Sequence, residues 1–203
     1  MVIVIAISYT LTPYVGPSED DHIQTNEQTG ANLTAVLWAD PQFSNYLVKR
    51  TKYFDAACED VTKNVDGKVD VMLNAGDIAE NGLLCEYQYI AEKLADAKTN
   101  CFLNAVGNHD VRLKASYKKT VKNFTGFTND LNKAVGSDFT MDALHYSYEI
   151  NGYKFIVLGT DRTEFEESYI SEAQLCWLDA QLTEASKTGK PIFVMIHQPL
   201  KWT

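Results

Sequence analysis

The sequence predicts an α/β fold of the α+β sandwich type, in which mixed β-sheets carry helices on their outer faces. Three observations favour this class. Short apolar runs alternate with segments of helical periodicity in the first half of the chain, which is the pattern of repeated βα units. A hairpin signal follows at Asn151-Gly152. A last apolar run ends directly before His197, which indicates one more strand near the end of the chain.

The first half of the chain predicts three strands separated by two helices. The apolar runs at 33–40, 69–75 and 101–106 are the predicted strands. Segments 43–65 and 84–97 carry apolar residues at helical spacing and are the predicted helices. Strands that are buried on both faces are continuous apolar runs rather than alternating ones. These runs therefore favour a sheet that is covered by helices.

The second half predicts an antiparallel pair, a helix and a final strand. Asn151 and Gly152 tolerate the positive φ of a two-residue turn, and they join the runs at 146–150 and 153–158. Ser171 with Gln174 matches a capping box and begins a helix. The side chains expected to face inward from this helix are Leu175, Leu178, Leu182 and Ala185. Run 192–196 is the last predicted strand. Segment 112–139 is interpreted as a surface insertion, with contact to a substrate as the alternative.

The domain organisation follows from chain length and from the polarity of the N-terminal region. A chain of 203 residues with 45% hydrophobic content suits one core, and residues 33–203 are the expected domain. Residues 1–32 combine an apolar run that is too short to cross a bilayer with an acidic stretch at 16–30 that is interpreted as a linker. The apolar run is compatible with a clipped signal sequence, an early strand or an expression remnant.

The charge of the chain limits its classes of partner. A net charge of −9 disfavours a general nucleic-acid or anionic-membrane binder unless a strong local basic patch is present. The basic cluster of Lys114, Lys118, Lys119 and Lys122 has the spacing of one helix face and is interpreted as solvated surface. We therefore expect no nucleic-acid partner and no membrane span.

Cysteines and glycosylation triplets bear on the compartment of the protein. The cysteines form no CxxC pair, which disfavours structural zinc, and buried free thiols are favoured over disulfides. They are Cys58, Cys85, Cys101 and Cys176. The triplets at Asn32 and Asn123, together with the apolar start, favour a secreted or cell-surface location.

Polar side chains directly follow four of the predicted strands. They are Asp40 and Gln42 after the first strand, Asp77 after the second, Asn108, His109 and Asp110 after the third, and His197 after the last. Loops beyond the carboxyl ends of strands line one crevice in an open sheet, so these residues can converge. Two divalent ions about 3.5–4 Å apart can hold the attacking and leaving oxygens of a phosphoryl transfer. Asp77 is the candidate for a carboxylate shared between them.

Each of these signals has a structural alternative when it stands alone. A Gly-Asp pair after a strand is commonly a turn, Asp40 could cap a helix, and His197 could be a hydrogen-bonded core residue. Gly76 and Gly107 allow a sharp turn or a close approach to a ligand.

The segments WADPQ, GDIAENG, GNHD and VMIHQPL, in this order and spacing, resemble the calcineurin-like metallophosphoesterases. The resemblance covers the chain from about Leu33 to its end. It implies that Asp40 binds a first metal ion, that Asp77 bridges two ions, and that Asn108 and His197 bind the second ion. The family includes purple acid phosphatases and phosphodiesterases, so the implied cofactor is a pair of divalent ions among Mn, Fe, Zn and Mg.

The resemblance also implies catalytic roles for the third segment. His109 is expected to face the substrate rather than a metal ion, and to protonate the leaving oxygen or stabilise the developing charge. Asp110 is expected to orient His109 or a metal-bound group. A purely structural turn role for Asp110 stays open as the alternative.

The chain departs from the family pattern at two places. Gln42 stands where the family usually has histidine, and its carbonyl oxygen is a harder ligand that favours manganese, magnesium or iron over zinc. The Gly-His-x-His segment that closes the family site is not found before Thr203. We expect one nitrogen donor fewer for each ion, and closing strands that are missing from the sheet. His22 and His145 are not expected to replace those donors.

The sequence thus predicts a metal-dependent hydrolase of phosphomonoesters or phosphodiesters that uses a dinuclear metal centre and a metal-activated water. The alternative is a weakly active or inactive binding module that keeps the fold, which Gln42 and the missing histidines favour. A serine hydrolase is poorly supported because the sequence contains no GxSxG segment. The predicted partner is a phosphoester substrate, and the sequence leaves the oligomeric state open.

Overall fold

The computed structural model describes residues 22–111, 116–162 and 168–198. In chain order the elements are α1 (Asn26–Thr29), β1 (Ala35–Trp38), α2 (Val48–Lys63), β2 (Val71–Asn74), α3 (Leu84–Leu94), β3 (Phe102–Asn104), α4 (Tyr117–Val135), β4 (Tyr146–Ile150), β5 (Tyr153–Val157), α5 (Glu172–Ser186) and β6 (Ile192–Met195). The predicted strands are all present, most of them a residue or more shorter than expected. Residues 1–21 of the predicted N-terminal region lie outside the described residues.

The first sheet is parallel, in the order β1-β2-β3. Met72 at its centre pairs with Val36 on one side and with Phe102 on the other. Helices α2 and α3 connect the strands, as the alternation of apolar runs and helical segments predicts. Because the strands are parallel, the loops that carry Asp40 and Asp77 leave the sheet at the same edge.

The second sheet combines an antiparallel pair with a parallel one, in the order β4-β5-β6. Asn151 and Gly152 form the turn between β4 and β5 with φ of 52° and 75°, so the hairpin prediction is confirmed. Strand β6 runs parallel to β5, which carries His197 to the carboxyl end of the sheet. The Tyr146 hydroxyl donates to the Asn104 carbonyl at 3.0 Å and joins the two sheets through their common core.

The interpretation of segment 112–139 as a surface insertion is wrong for its larger part, because residues Tyr117–Val135 form the long helix α4. Ser116 caps the helix by accepting from the Lys119 backbone N–H at 3.4 Å. Phe124 and Leu131 are fully buried in the core. Asn132 is also buried and bonds both the N–H and the carbonyl of Phe102. Packing therefore outweighs the weak helix propensity of a segment that is rich in Thr and Asn and contains Gly126.

Helix α5 is confirmed, and of its predicted inward side chains Ala185 is buried, Leu178 and Leu182 are half-buried, and only Leu175 is exposed. Leu175 is 44% exposed, whereas Gln174 is 1% exposed. The Gln174 amide donates to the Gly159 carbonyl at 2.8 Å and accepts from the Gly159 N–H at 3.2 Å. The open backbone end of β5 thus needs a polar partner from α5, which apolar periodicity cannot predict. Ser171 caps the helix through the Gln174 backbone N–H at 3.3 Å.

Part of the N-terminal stretch that was interpreted as a linker is ordered. Ile23 pairs with Val65 beside the end of α2, and Thr25 is buried and donates to the Asp66 carbonyl at 2.9 Å. The cysteines are free thiols, as predicted, and Cys58 and Cys101 are buried. The other two, Cys85 and Cys176, are exposed instead. Among the described residues, no helix has the length and apolarity needed to span a membrane.

Candidate metal centre

The loops after β1 and β2 remain hydrogen-bonded to each other beyond the ends of the strands. The Gln42 N–H donates to the Asp77 carbonyl at 2.9 Å, and the Phe43 N–H donates to the Ile78 carbonyl at 3.0 Å. The Glu80 N–H returns a bond to the Phe43 carbonyl at 2.8 Å. This pairing gives both loops a defined conformation at the edge of the sheet.

Three polar residues in these loops have a left-handed backbone. The φ angles are 53° for Asp40, 43° for Gln42 and 55° for Asp77. Such conformations are uncommon for residues other than glycine, cost on the order of 1–3 kcal/mol each, and cluster at functional sites. Among the described residues the only other such case is Asn151, in the hairpin turn. The fold therefore accepts local strain where it turns the candidate ligands toward one point.

The predicted ligands converge at this edge. One donor atom each of Asp40, Asp77 and His197 lies within 4.8 Å of the others. His197 Nε2 is 3.3 Å from Asp77 Oδ2 and 3.0 Å from Asn108 Oδ1. The Gln42 amide nitrogen lies 3.3 Å from the same Asp77 oxygen, and the opposite amide orientation would present the carbonyl oxygen that a ligand requires.

This donor set fits divalent cations. Two carboxylates, two amides and one imidazole suit manganese, iron, magnesium or zinc. The His197 ring adds a second feature of metal sites, because its Nδ1 lies 2.9 Å from the Ala75 carbonyl and leaves Nε2 directed at Asp77 and Asn108. A backbone carbonyl on the far nitrogen of a ligand histidine fixes the tautomer and the ring orientation.

Asp77 and His197 shift each other's pKa. Burial opposes protonation of His197, but the Asp77 carboxylate beside it outweighs burial and raises the pKa of His197 to about 8. Burial also pushes the pKa of Asp77 upward, while His197 and the His109 N–H together hold that pKa below its usual value. Burial raises the pKa of Asp40. Both shifts have the direction of a charge pair between Asp77 and a protonated His197, and a cation bound by both side chains would take the place of that proton.

Two glycines make room for this arrangement. A Cβ at Gly107 would lie 2.0 Å from Asp77 Oδ1 and 2.4 Å from the Asp77 nitrogen. Gly76 has φ of 105°, and a Cβ there would lie 2.6 Å from the His197 ring. The close approach that the sequence suggests for Gly76 and Gly107 is thus made to the ligands themselves.

His109 lies beside the centre with its ring held by the loop after β2. Its backbone N–H donates to Asp77 Oδ1 at 2.8 Å, and its Nδ1 lies 3.0 Å from the Glu80 carbonyl. Its Nε2 is 3.9 Å from Asp77 Oδ2 and remains outside the cluster of ligand atoms. This position is compatible with a group that faces a substrate rather than a metal ion.

Asp110 lies behind the loops, buried away from the cluster. Its Oδ2 accepts the N–H of Asp77 at 3.0 Å and of Gly107 at 2.9 Å, and its Oδ1 accepts the Ala79 N–H at 3.2 Å and the Tyr87 hydroxyl at 3.4 Å. Burial and the Asp77 charge raise the pKa of Asp110 to about 7 against these donors. The contacts are those of a residue that positions the loops.

Several contacts at the site had no sequence signal. The carbonyls of Ala75 and Glu80 hold the rings of His197 and His109. Every residue has a backbone carbonyl, so residue type does not show which carbonyls accept these bonds. Glu80 belongs to the segment GDIAENG, and its carboxylate pairs with Arg50. The remaining histidines lie elsewhere, as expected. His22 pairs with Asp66, and His145 packs against Trp177.

Comparison with known proteins decides the family. The pattern of the calcineurin-like phosphoesterases matches residues 39–202. The chain belongs to this family. The resemblance of the four sequence segments is thereby confirmed, and so is the α/β fold class that it implies.

This calcineurin-like phosphoesterase is similar to the Probable glycerophosphodiester phosphodiesterase GpdQ of Arcobacter nitrofigilis, with 28% identity over 142 residues. The match covers 67% of the chain and 44% of the relative, so the chain spans less than half the length of that protein. A dimetal phosphatase from Danio rerio shares the fold, with a TM-score of 0.50 and 15% identity over 83% of the chain and 70% of that structure. A purple acid phosphatase PPD1 from yellow lupin (Lupinus luteus) seeds matches with a TM-score of 0.45 and 16% identity, over 79% of the chain and 29% of that structure.

Proposed function

We propose that this chain hydrolyses phosphoesters, with phosphodiesters as the first class to test, at a dinuclear metal centre. The observation that carries the proposal is the convergence of Asp40, Asp77 and His197, whose donor atoms lie within 4.8 Å of one another. The name of the relative GpdQ, a glycerophosphodiester phosphodiesterase, supports the diester class.

The residues divide into ligands and groups that act on the substrate. Asp40 and Gln42 would hold one ion, Asn108 and His197 the other, and Asp77 both. Divalent ions bound there would neutralise phosphate oxygens and lower the pKa of an attacking water. The Glu80 carbonyl accepts from His109 Nδ1, so a neutral ring would leave Nε2 without a proton and only the charged imidazolium would carry a proton at Nε2 for the leaving oxygen. Asp110 would keep the loops of Asp77 and Gly107 in register.

Metal-dependent turnover tests the proposal. We expect the chain to hydrolyse bis(p-nitrophenyl) phosphate or p-nitrophenyl phosphate in added Mn²⁺. Asp77→Asn should lower the rate by at least about a hundredfold, because the bridging charge is lost. Asp179→Asn is the matched control, since Asp179 is an exposed carboxylate on α5 and should keep full activity. Equal rates for Asp77→Asn and the parent chain would refute the proposal.

The second candidate function is a module that keeps the fold without turnover. It is favoured by Gln42, whose amide nitrogen lies against Asp77 and which takes the place of an imidazole. Metal analysis separates the candidates. About two Mn²⁺ per chain is expected for the enzyme, whereas a chain that binds no metal ion and turns over neither ester would be the module. Gln42→His should shift the metal preference toward zinc.

A further inference from the structure

Five exposed side chains around the start of α2 form a surface that the proposed reaction does not use. We call it the basic aromatic face, and it consists of Tyr46, Val48, Lys49, Lys52 and Tyr53. Tyr46 is 74% exposed and Val48 is 72% exposed. Positions 49, 52 and 53 have the spacing of one helix face, and the Lys49 ammonium lies 5.9 Å from the centre of the Tyr53 ring. Apolar and cationic groups are thus presented to solvent together.

The charge of this face is opposite to that of the chain. Residues 41–54 contain Lys49, Arg50 and Lys52 and no acidic residue, whereas the whole chain carries a net charge of −9. An anionic-membrane partner is disfavoured by the net charge only in the absence of a local basic patch. The basic aromatic face supplies two exposed lysines of this kind, Lys49 and Lys52, while Arg50 beside them pairs with Glu80. The lysines of the face complement anionic groups, and its tyrosines and valine complement an adjoining apolar layer.

The face borders the candidate metal centre on the side of His109. It lies at the end of loop 39–47, which also carries Asp40 and Gln42, and Arg50 in the first turn of α2 pairs with the Glu80 carboxylate. The Glu80 carbonyl in turn lies 3.0 Å from His109 Nδ1. The first turn of α2, which carries Val48 and Lys49 of the face, is thus linked through Arg50 and Glu80 to the group that would protonate a leaving oxygen.

We propose that the basic aromatic face docks on an anionic lipid surface and that the phosphoester substrate belongs to a lipid headgroup. The substrate part rests on the proposed phosphoesterase function. Lysines at a membrane surface attract anionic headgroups, while tyrosine and valine enter the boundary between headgroups and acyl chains. Tyrosine is favoured there because its ring is apolar and its hydroxyl stays hydrated. Docking in this orientation brings headgroup phosphates to the His109 side of the centre.

Vesicle sedimentation tests the docking. The purified chain is mixed with vesicles of phosphatidylcholine alone or of equimolar phosphatidylcholine and phosphatidylglycerol, at low and at physiological salt. Binding to the anionic vesicles should be about tenfold tighter or more at low salt and should weaken as salt is added. Lys49→Glu combined with Lys52→Glu should weaken it at least about tenfold. Tyr46→Ser combined with Val48→Ser should weaken binding to both kinds of vesicle.

Matched control variants lie on other faces of the molecule. Lys133→Glu reverses an exposed lysine near the end of α4, and Leu175→Ser removes an exposed leucine from α5. Both should bind vesicles like the parent chain. Equal loss in controls and face variants overturns the docking proposal, as does the absence of binding to anionic vesicles. Binding to polyglutamate without binding to vesicles also overturns it, in favour of an acidic protein partner.

Turnover separates this inference from the proposed function. The face variants should hydrolyse soluble bis(p-nitrophenyl) phosphate at the parent rate, and should need more lipid for half-maximal phosphate or headgroup release from vesicles. Vesicle binding without any turnover would leave the docking in place and refute the phosphoesterase function together with the headgroup substrate. Soluble turnover without vesicle binding would refute the docking and leave the phosphoesterase function in place.

Discussion

Gly107 lies where two chain segments approach too closely for a side chain. A Cβ at this position would come within 2.0 Å of Asp77 Oδ1 and 2.4 Å of the Asp77 nitrogen. The backbone of Gly107 has no left-handed φ, so the constraint is steric and not conformational. The role of this residue is to let the loop after β3 contact the candidate bridging carboxylate directly.

Gly107→Ala is therefore expected to displace Asp77. We predict a loss of about 1–3 kcal/mol in the free energy of unfolding, from overpacking, and weaker Mn²⁺ binding by calorimetry. Gly126→Ala is the matched control, because Gly126 lies in α4 with nothing within 4 Å of a Cβ. That substitution should be neutral or stabilise by about 0.5–1 kcal/mol. Similar unfolding curves for the two variants would contradict the steric argument.

At the scale of elements, the loops after β2 and β3 are joined by the buried Asp110 carboxylate. Each of its oxygens accepts two hydrogen bonds, and three of the four donors are backbone N–H groups of those loops. Asp110→Asn would turn an NH₂ group toward N–H donors in either orientation. We predict a loss of about 1–3 kcal/mol in the free energy of unfolding and weaker Mn²⁺ binding, measured by urea titration and calorimetry.

Asp70 provides the control for this prediction. It is also a buried carboxylate, but it binds Thr34, Asn26 and Asn151 at the opposite end of the strands. Asp70→Asn should destabilise the fold and leave Mn²⁺ affinity unchanged. If both variants lose the same metal affinity, Asp110 acts only through global stability and does not position the loops.

The elements also show which interactions a sequence can predict. Continuous apolar runs predicted the strands. Burial on both faces accounts for β2 and β3, whereas β1 and β6 keep exposed residues such as Leu37 and Phe193.

The lysine spacing predicted only the exposed start of helix α4, at Lys118, Lys119 and Lys122. The rest was missed because Asn132 and Thr128 are buried there and their weak propensity masks the apolar positions. On α5 the prediction failed at Leu175 only, because the backbone of Gly159 needs Gln174 as its buried partner. At the site, side-chain types predicted the convergence of Asp40, Asp77, Asn108 and His197, but not the carbonyls that orient the rings.

At the scale of the whole molecule, the candidate centre connects the two sheets. Asp40, Asp77 and Asn108 come from the first sheet and His197 from the second, and the His197 ring is within 3.3 Å of Asp77 and 3.0 Å of Asn108. A cation held by both sheets would stabilise the folded chain in proportion to its affinity, because the unfolded chain cannot bring these donors together.

The affinity for Mn²⁺ should consequently depend on pH through His197. Its pKa is raised to about 8 in the folded chain, so the ring is charged at neutral pH and must lose its proton before it can bind a cation. The affinity is expected to rise about tenfold per pH unit below pH 8 and to level off above it. Without a metal ion, the stability of the fold depends on pH in the opposite direction. The charged His197 ring stabilises the fold below its usual pKa of 6.5, and this stabilisation is lost as pH rises through 8. Calorimetry in buffers of different ionisation enthalpy should detect about one proton released per chain at pH 7, and His197→Ala should abolish that release. Constant affinity between pH 6 and 8 would mean that His197 is not a ligand.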